Sequence, residues 1–281
     1  MNSRNLSNKA ILYVVAILSA LAFSLPFFWT ITSSFKSAAE IVVFPPAIFP
    51  ERLRWENYAD VFNLAHFARF MWNTVYVTTF AMIGQILSSA VVAFGFARFR
   101  FPGRETLFLL VLGTMMLPWQ VTIVPTFLLF KQFKMINTYW PLILPSFLGG
   151  GAFYIFLLRQ FFLTIPRDLD EAAKLDGANS FRIFWSIILP LSGPALATVA
   201  IFSFLQHWNE FIGPLIFLNS PDKFTVSIGL RYFIASPFES DQPRDAILMA
   251  ASLIVALPSL ILFFMAQRYF VRGIVTTGLK G

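Results

Sequence analysis

The chain has 281 residues, of which 57% are apolar and only 12% charged, with a mean hydropathy of +0.70, and these values exclude an ordinary soluble domain. A net charge of +7 would suit nucleic acid, but the basic residues lie mostly between apolar runs rather than in one patch, so topology explains them better. Cysteine is absent, which excludes disulfides, thiol nucleophiles and Cys-ligated metals and leaves the redox compartment open.

Residues 1–9 form a polar leader with Arg4 and Lys9, and Ile11 to Ile31 is an uncharged run long enough to cross a bilayer. Ala20-Leu21-Ala22 imitates a signal-peptidase site, but the apolar run continues to Trp29 and is too long for a signal core. Lys36 to Arg69 is mixed polar and aromatic, with Pro45-Pro46 and Pro50 forcing extended backbone. A second span is expected over 72–96, where Gly84 and Ser88 permit close helix approach, followed by a tight loop with Arg98, Arg100 and Arg104. The third span, 106–130, is read as one helix kinked at Pro118 and Pro125 and placed inside the bundle, where freed carbonyls find partners. After a hydrophilic turn comes a fourth span, 140–162, with Pro145 and the run Gly149-Gly150-Gly151, which reads either as a broken helix lining a path or as a packing notch. A fifth span, 194–218, a polar segment to Arg244 and a sixth span, 246–266, with small-residue pairs Ala246/Ala250 and Ser252/Ala256, complete the pattern.

Between the fourth and fifth spans lies a polar island, 164–192. Asp168, Asp170 and Glu171 crowd the first turn after Pro166, where negative charge complements a helix dipole. Leu169, Ala172 and Ala173 share one small apolar face, and Gly177 stands where a helix stops in the left-handed conformation. Asn179 or Ser180 can cap a second helix, on which Phe181, Phe184, Trp185 and Ile188 are expected to share a face before Leu189-Pro190 ends it. The expectation is a helix–Gly–helix elbow outside the hydrocarbon; an ordinary loop is the bland alternative.

The elbow carries Glu-Ala-Ala-x3-Gly-x9-Ile-x-Leu-Pro at Glu171, Ala172, Ala173, Gly177, Ile187, Leu189 and Pro190. With each residue type at roughly 5–10% usage, chance gives on the order of one match in a hundred million starts. This pattern resembles the coupling loop of ABC importer permeases. Trp72-Asn73-Thr74, Phe99-Arg100-Phe101-Pro102-Gly103, Met116-Leu117-Pro118 with Pro125, Arg159-Gln160-Phe161-Phe162, Trp208-Asn209-Glu210-Phe211 and the ending Gln267 to Gly273 with Gly278 to Gly281 look like the carbohydrate-uptake branch, and within it the maltose-type six-span partner.

The resemblance implies an all-α membrane protein of six spans: a cytoplasmic leader 1–9, a permease domain 10–270 with coupling loop 164–192, and a cytoplasmic tail 271–281. It implies an ATPase-coupling surface of Glu171, Ala172, Ala173, Asp176, Gly177, Leu189 and Pro190, and a tail whose Gly278, Lys280 and Gly281 reach the ATPase interface. It further implies a second permease subunit, two ATPase subunits holding ATP and Mg, an extracytoplasmic solute-binding protein, a carbohydrate cargo and residence in the cell (inner) membrane. Both termini and the elbow would share one side, which collects twelve of the basic residues against nine on the other, a bias that makes it cytoplasmic. The chain has no Gly-x4-Gly-Lys-Ser/Thr loop, no catalytic set, and only His66 and His207 as histidines, so it is read as a transport subunit with no cofactor of its own. Gln206, Asn209 and Glu210 are candidate pathway residues, and Ser203, Gln206, Asn209 and Gly213 can form one polar stripe; interhelical hydrogen bonding is the plainer reading of both. An amino-acid or peptide importer, a solitary secondary transporter or channel, and a membrane enzyme are the alternatives; the last two leave the elbow unexplained or lack reactive groups.

Overall fold

The structure, a computed structural model, describes residues 3–64, 66–235 and 244–278. Among these residues the chain is helical without strands. In order, the helices are α1 (Ser3–Ser34), α2 (Ala38–Val42), α3 (Glu56–Leu64), α4 (Phe67–Arg98), α5 (Arg104–Gly113), α6 (Trp119–Gln132), α7 (Trp140–Phe147) and α8 (Ala152–Thr164). They continue with α9 (Asp168–Leu175), α10 (Ser180–Leu191), α11 (Gly193–Trp208), α12 (Ile212–Phe217), α13 (Val226–Ala235) and α14 (Asp245–Gly278).

The helices fall into two compact units, one of α1–α3 with Gly229–Pro258 and one of Arg69–Ile228 with the chain from Ser259 onward. In the first, the turn after α1 is knitted by Asn57, whose Nδ2 donates to the carbonyls of Ser34 (2.8 Å) and Lys36 (2.9 Å). Lys36 is buried with its Nζ 3.8 Å from the Trp29 ring centroid, so the aromatic face replaces part of the lost water. Ala246 and Ala250 are buried as expected of a packing pair, whereas Ser252 and Ala256 are half-buried.

The second unit holds the main core. Ala90, Ala93 and Ala97 are fully buried on one face of α4, and their small side chains let neighbouring helices approach until Leu158, Phe162, Ile188 and Val199 close over them. Without water to expel in lipid, such contacts stabilise by close packing rather than by the hydrophobic effect. Gly84 and Ser88 are a contact point as well. A Cβ on Gly84 would fall on the Phe147 ring, and Ser88 Oγ donates to the Ser146 carbonyl at 2.7 Å.

Among the described residues, four helical stretches are individually long and apolar enough to cross a membrane: Ile11–Ser34, Phe67–Arg98, Trp140–Thr164 and Asp245–Gln267. Two bent pairs raise the number to six if each counts as one span: Arg104–Met116 with Trp119–Gln132, at 97°, and Ser180–Leu191 with Gly193–Trp208, at 80°. The third expected span is therefore broken, not kinked. Pro118 cannot donate to a helix and biases Leu117 to extended backbone (ψ 115°), so α5 stops there and α6 starts afresh. The fifth expected span is interrupted too, because Pro214 frees the Glu210 carbonyl, which the Ser227 hydroxyl takes up at 2.7 Å. At the far end α14 runs without interruption past 270 to Gly278, while Lys280 and Gly281 lie outside the described residues.

Candidate functional site

The elbow forms as α9 and α10. Asp168, Asp170 and Glu171 occupy the first turn of α9 and Lys174 the last, each complementing the dipole of its end. Gly177 (φ 80°) reverses the chain: its N–H donates to the Lys174 carbonyl at 3.0 Å and the Ala178 N–H to Ala173 at 2.8 Å, the paired bonds of a Schellman motif. Asn179, rather than Ser180, caps α10 by accepting from the Arg182 N–H at 2.8 Å.

Pro190 shapes the rest of α10. Its ring removes a donor to the preceding turn, and the helix widens to a π turn over Phe184–Ile188 in which Leu189 N–H reaches back to Phe184. The aromatics do not share one face, which corrects the expectation. Phe184 and Ile188 are buried with Ile183 against Phe94, whereas Phe181 and Trp185 face outward, 71% and 44% exposed.

Asp170 fastens the elbow to the bundle. Its Oδ2 lies 3.1 Å from Arg98 Nε at the end of α4, with the two side chains only 12% and 4% exposed. Arg98 also donates to the Ile165 carbonyl at 3.0 Å, tying the entry of the elbow to the same helix. In the sequence Asp170 counted only as dipole complement and Arg98 only as loop charge; what pairs them is a fold contact 72 positions apart, for which local spacing gives no signal.

The expected coupling residues divide by exposure. Glu171, Ala172, Asp176 and Gly177 are exposed, and neither Glu171 nor Lys174 has a side-chain partner among the described residues. Ala173 and Leu189 instead lean on the core, and Pro190 is exposed beyond it. Leu175, which no motif singles out, is 89% exposed at the tip of α9. Beside Glu171 and Ala172 it makes an outward surface of one acid, one small residue and one large apolar side chain.

A second feature is a cavity of about 340 Å³ lined by residues of α4, α6, α7, α11 and α12 and by Gly150 and Gly151. Its wall is largely apolar, with polar side chains (Gln85, Thr122, Thr126, Gln206, His207) and one acid, Glu210, set into it. Gln85 on α4 donates to the Gly150 carbonyl and accepts, through Oε1, from His207 Nε2 at 2.8 Å, which sets the His207 tautomer with the proton on Nε2. Tyr154 donates its hydroxyl to Gln206 Oε1 at 2.8 Å. Trp119, at the start of α6 with 42% of its surface exposed, lines the cavity. Gly149, Gly150 and Gly151 all have positive φ, so the run is a broken helix; it is a packing notch too, because a Cβ on Gly150 would sit 2.7 Å from the Gln85 carbonyl oxygen.

The candidate pathway residues separate here. Gln206 and Glu210 line the cavity, and Glu210 spends Oε1 on capping α12 by accepting from the Gly213 N–H at 2.9 Å. Asn209 is exposed and donates back to the Leu205 carbonyl, while Ser203 is fully buried, so the stripe drawn through both is not a continuous surface. Gln85 and Trp119 are among the lining residues that sequence reasoning passed over, whereas His207 stood beside the Gln206–Glu210 candidates. Gln85 sat inside an apolar run and Trp119 at a proline, and the breaks in the helices bring them to one space.

Residues 85–276 match the family described as binding-protein-dependent transport system inner membrane component. The chain is 34% identical over 275 residues to the arabinooligosaccharides transport system permease protein AraQ of Halalkalibacterium halodurans, covering 90% of this chain and 96% of that one. It is 34% identical over 270 residues to the diacetylchitobiose uptake system permease protein NgcG of Streptomyces coelicolor, covering 96% and 88%. Its fold is similar to a chain in a crystal structure of a bacterial ABC transporter involved in the import of the acidic polysaccharide alginate, with TM-score 0.86, 21% identity and coverage of 96% and 99%. The Glu-Ala-Ala-Gly elbow, the broken apolar helices around one cavity and these matches agree, and the chain belongs to the binding-protein-dependent ABC importer permeases.

Proposed function

We propose that this permease carries a sugar or oligosaccharide into the cell as one half of a membrane channel, driven by ATP that two separate ATPase subunits hydrolyse with Mg bound. A second permease subunit completes the channel, and an extracytoplasmic solute-binding protein delivers the cargo. The observation that carries the reading is the elbow: a short helix held to the bundle by Arg98–Asp170 and presenting Glu171, Ala172 and Leu175 outward. A lever needs both properties, a stiff root and an open tip. Glu171 meets a basic side chain of the ATPase, Ala172 allows backbone approach, and Leu175 enters an apolar recess. Ala173, Asp176, Gly177, Leu189 and Pro190 hold the shape of the elbow, and the tail residues Gly278, Lys280 and Gly281 reach the same partner.

The cargo class follows from the relatives and from the chemistry of the cavity. Amide, imidazole and hydroxyl groups beside a tryptophan side chain suit a hydroxyl-rich solute, for which hydrogen bonds and aromatic contact replace hydration. The excess of basic residues on their shared side supports a cytoplasmic location for the elbow and both termini.

Because the chain contains no cysteine, Leu175→Cys gives a unique thiol. In inverted membrane vesicles of cells expressing the intact importer, a thiol–amine cross-linker should join this position to the ATPase, and a membrane-impermeant maleimide should label it from the cytoplasmic side only. Labelling from the outside, or no cross-link in an importer that still takes up sugar, refutes the assignment.

A further inference from the structure

Beside the root of the elbow, the loop between α4 and α5 and the residue before α9 border an open groove of about 510 Å³, lined by Arg100, Arg104 and Arg167 with one acid, Glu105. The acid is already committed. Glu105 Oε1 lies 2.7 Å from Arg104 Nη2 and 3.3 Å from Nη2 of the buried Arg159, whose guanidinium also covers the Phe108 ring. Arg100 and Arg167 form no ion pair among the described residues, and the only side-chain bond of Arg167 there is a 3.4 Å contact to the Ala97 carbonyl. A concave site therefore keeps two guanidinium groups with no anion of the described chain to meet them.

The surroundings specify which anion. The site lies where α4 ends and α5 begins, at the polar end of two apolar helices. Phe101, at 39% exposure, lines it, and Leu107, Leu109 and Leu110 are 48%, 65% and 64% exposed along the first turns of α5. A phosphate held by Arg100 and Arg167 would have its acyl chains run down this apolar surface. We propose that the space is a binding site for the headgroup of an anionic phospholipid, which thereby rests against Arg167 at the entrance to the elbow. Basic pockets at the cytoplasmic ends of spans bind such headgroups by charge-assisted, forked hydrogen bonds. The cytoplasmic placement is the one proposed above; the site itself rests on its own residues.

The test uses the purified full chain in neutral detergent, titrated with phosphatidylglycerol or phosphatidylcholine and read by native mass spectrometry. The wild type should retain one phosphatidylglycerol at roughly tenfold lower lipid concentration than phosphatidylcholine, since two basic contacts near a surface are together worth about that much or more. Arg100→Gln with Arg167→Gln should abolish the preference, and Arg100→Lys with Arg167→Lys should keep most of it. The charge-matched control Arg52→Gln with Arg54→Gln, on the other unit, should leave it intact. Arg100→Gln alone, at an exposed residue, should give a partial loss in a chain of wild-type thermal stability. An unchanged preference in the Gln pair, an equal loss in the control, or full competition by millimolar inorganic phosphate overturns the proposal. So does a Gln pair that keeps its lipid in this titration but, when the intact importer is purified, loses the ATPase, which would make the site a protein contact. None of these outcomes bears on the Leu175 cross-link, so the two readings fail separately.

Discussion

If Asp170 fastens the elbow, neutralising it should loosen α9 and little else. At 3.1 Å and an effective dielectric of about 20, the Arg98–Asp170 attraction is about 5 kcal/mol before desolvation is charged against it. Removing one member of a buried pair costs about 3–5 kcal/mol, and the 12% exposure of the carboxylate lets water compensate part of that, leaving about 2–3 kcal/mol. Asp170→Asn keeps the side-chain shape and should open α9 roughly 30- to 150-fold more often. Hydrogen exchange of the purified permease reads this directly, as faster deuterium uptake over 168–176 with α8 unchanged. The second arm replaces the whole pair: Arg98→Met with Asp170→Leu leaves no stranded charge and should recover most of the protection. Exchange over 168–176 within threefold of wild type in Asp170→Asn would refute the anchoring role, and so would a double variant no better than the single one. Uptake should track the exchange, falling in Asp170→Asn while the apolar spans stay inserted.

Three further outcomes are expected. Glu171→Lys and Gly177→Leu should leave membrane insertion intact and sharply reduce uptake in proteoliposomes; a Cβ at Gly177 meets nothing within 4 Å, so the leucine variant acts through left-handed backbone strain of about 1–2 kcal/mol and not through a clash. Gly150→Ala should lower the thermal stability of the detergent-solubilised chain far more than Gly149→Ala, because both have positive φ but only the Gly150 methyl would strike Gln85 and Ser89; equal effects would mean that backbone strain alone matters. Glu40 is held below its ordinary pKa of 4.5 by the Ser37 side chain and then by the Glu51 and Ser37 amides, so its stabilisation of the α2 cap is complete above pH 4.5 and lost as pH falls through the depressed value. Protection of the Glu51 amide, bonded to Glu40 Oε1 at 2.7 Å, should persist at pH 4.5 and disappear below it; loss already above pH 4.5 contradicts the sign.

The elbow was legible in the sequence because its determinants are local. A left-handed glycine, an Asx cap and an acidic first turn each act within a few residues, and the structure has all three. Hydropathy found the apolar runs for the same reason. It did not find how they are interrupted, since proline and glycine announce a disturbance without saying whether the helix bends or stops. At Pro118 the outcome is set by the extended backbone of Leu117, and at Pro214 by a distant group, the Ser227 hydroxyl, which takes up the Glu210 carbonyl from 17 positions away. The Arg98–Asp170 pair and the Gln85–His207 bond, 122 positions apart, were beyond any local rule.

Those interruptions also bear on where a solute can pass. Irregular backbone at membrane depth is tolerated only where it is buried in protein or lines a polar cavity, because lipid offers no hydrogen bonds. Two of the breaks in the second unit, at Pro118 and at Gly149–Gly151, open directly on the one cavity, placing Trp119, Gly150 and Gly151 in its wall. The third, at Asn209–Phe211, brings Glu210 to the same wall while its carbonyl is taken by Ser227. A bundle built only for packing would have no use for three discontinuities around a single space, since each forfeits helical hydrogen bonds that must be made good elsewhere. Their convergence is explained if the space handles a solute, and then Gln85 has a definite part. By bonding both the Gly150 carbonyl and His207, it fixes the broken α7–α8 joint against α11. Gln85→Leu strands both partners, so it should impair uptake and thermal stability together. Gln206→Ala removes only one hydrogen bond with Tyr154 and should impair uptake alone if the cavity carries the solute. Normal uptake by a stable Gln206→Ala permease would assign that wall to packing.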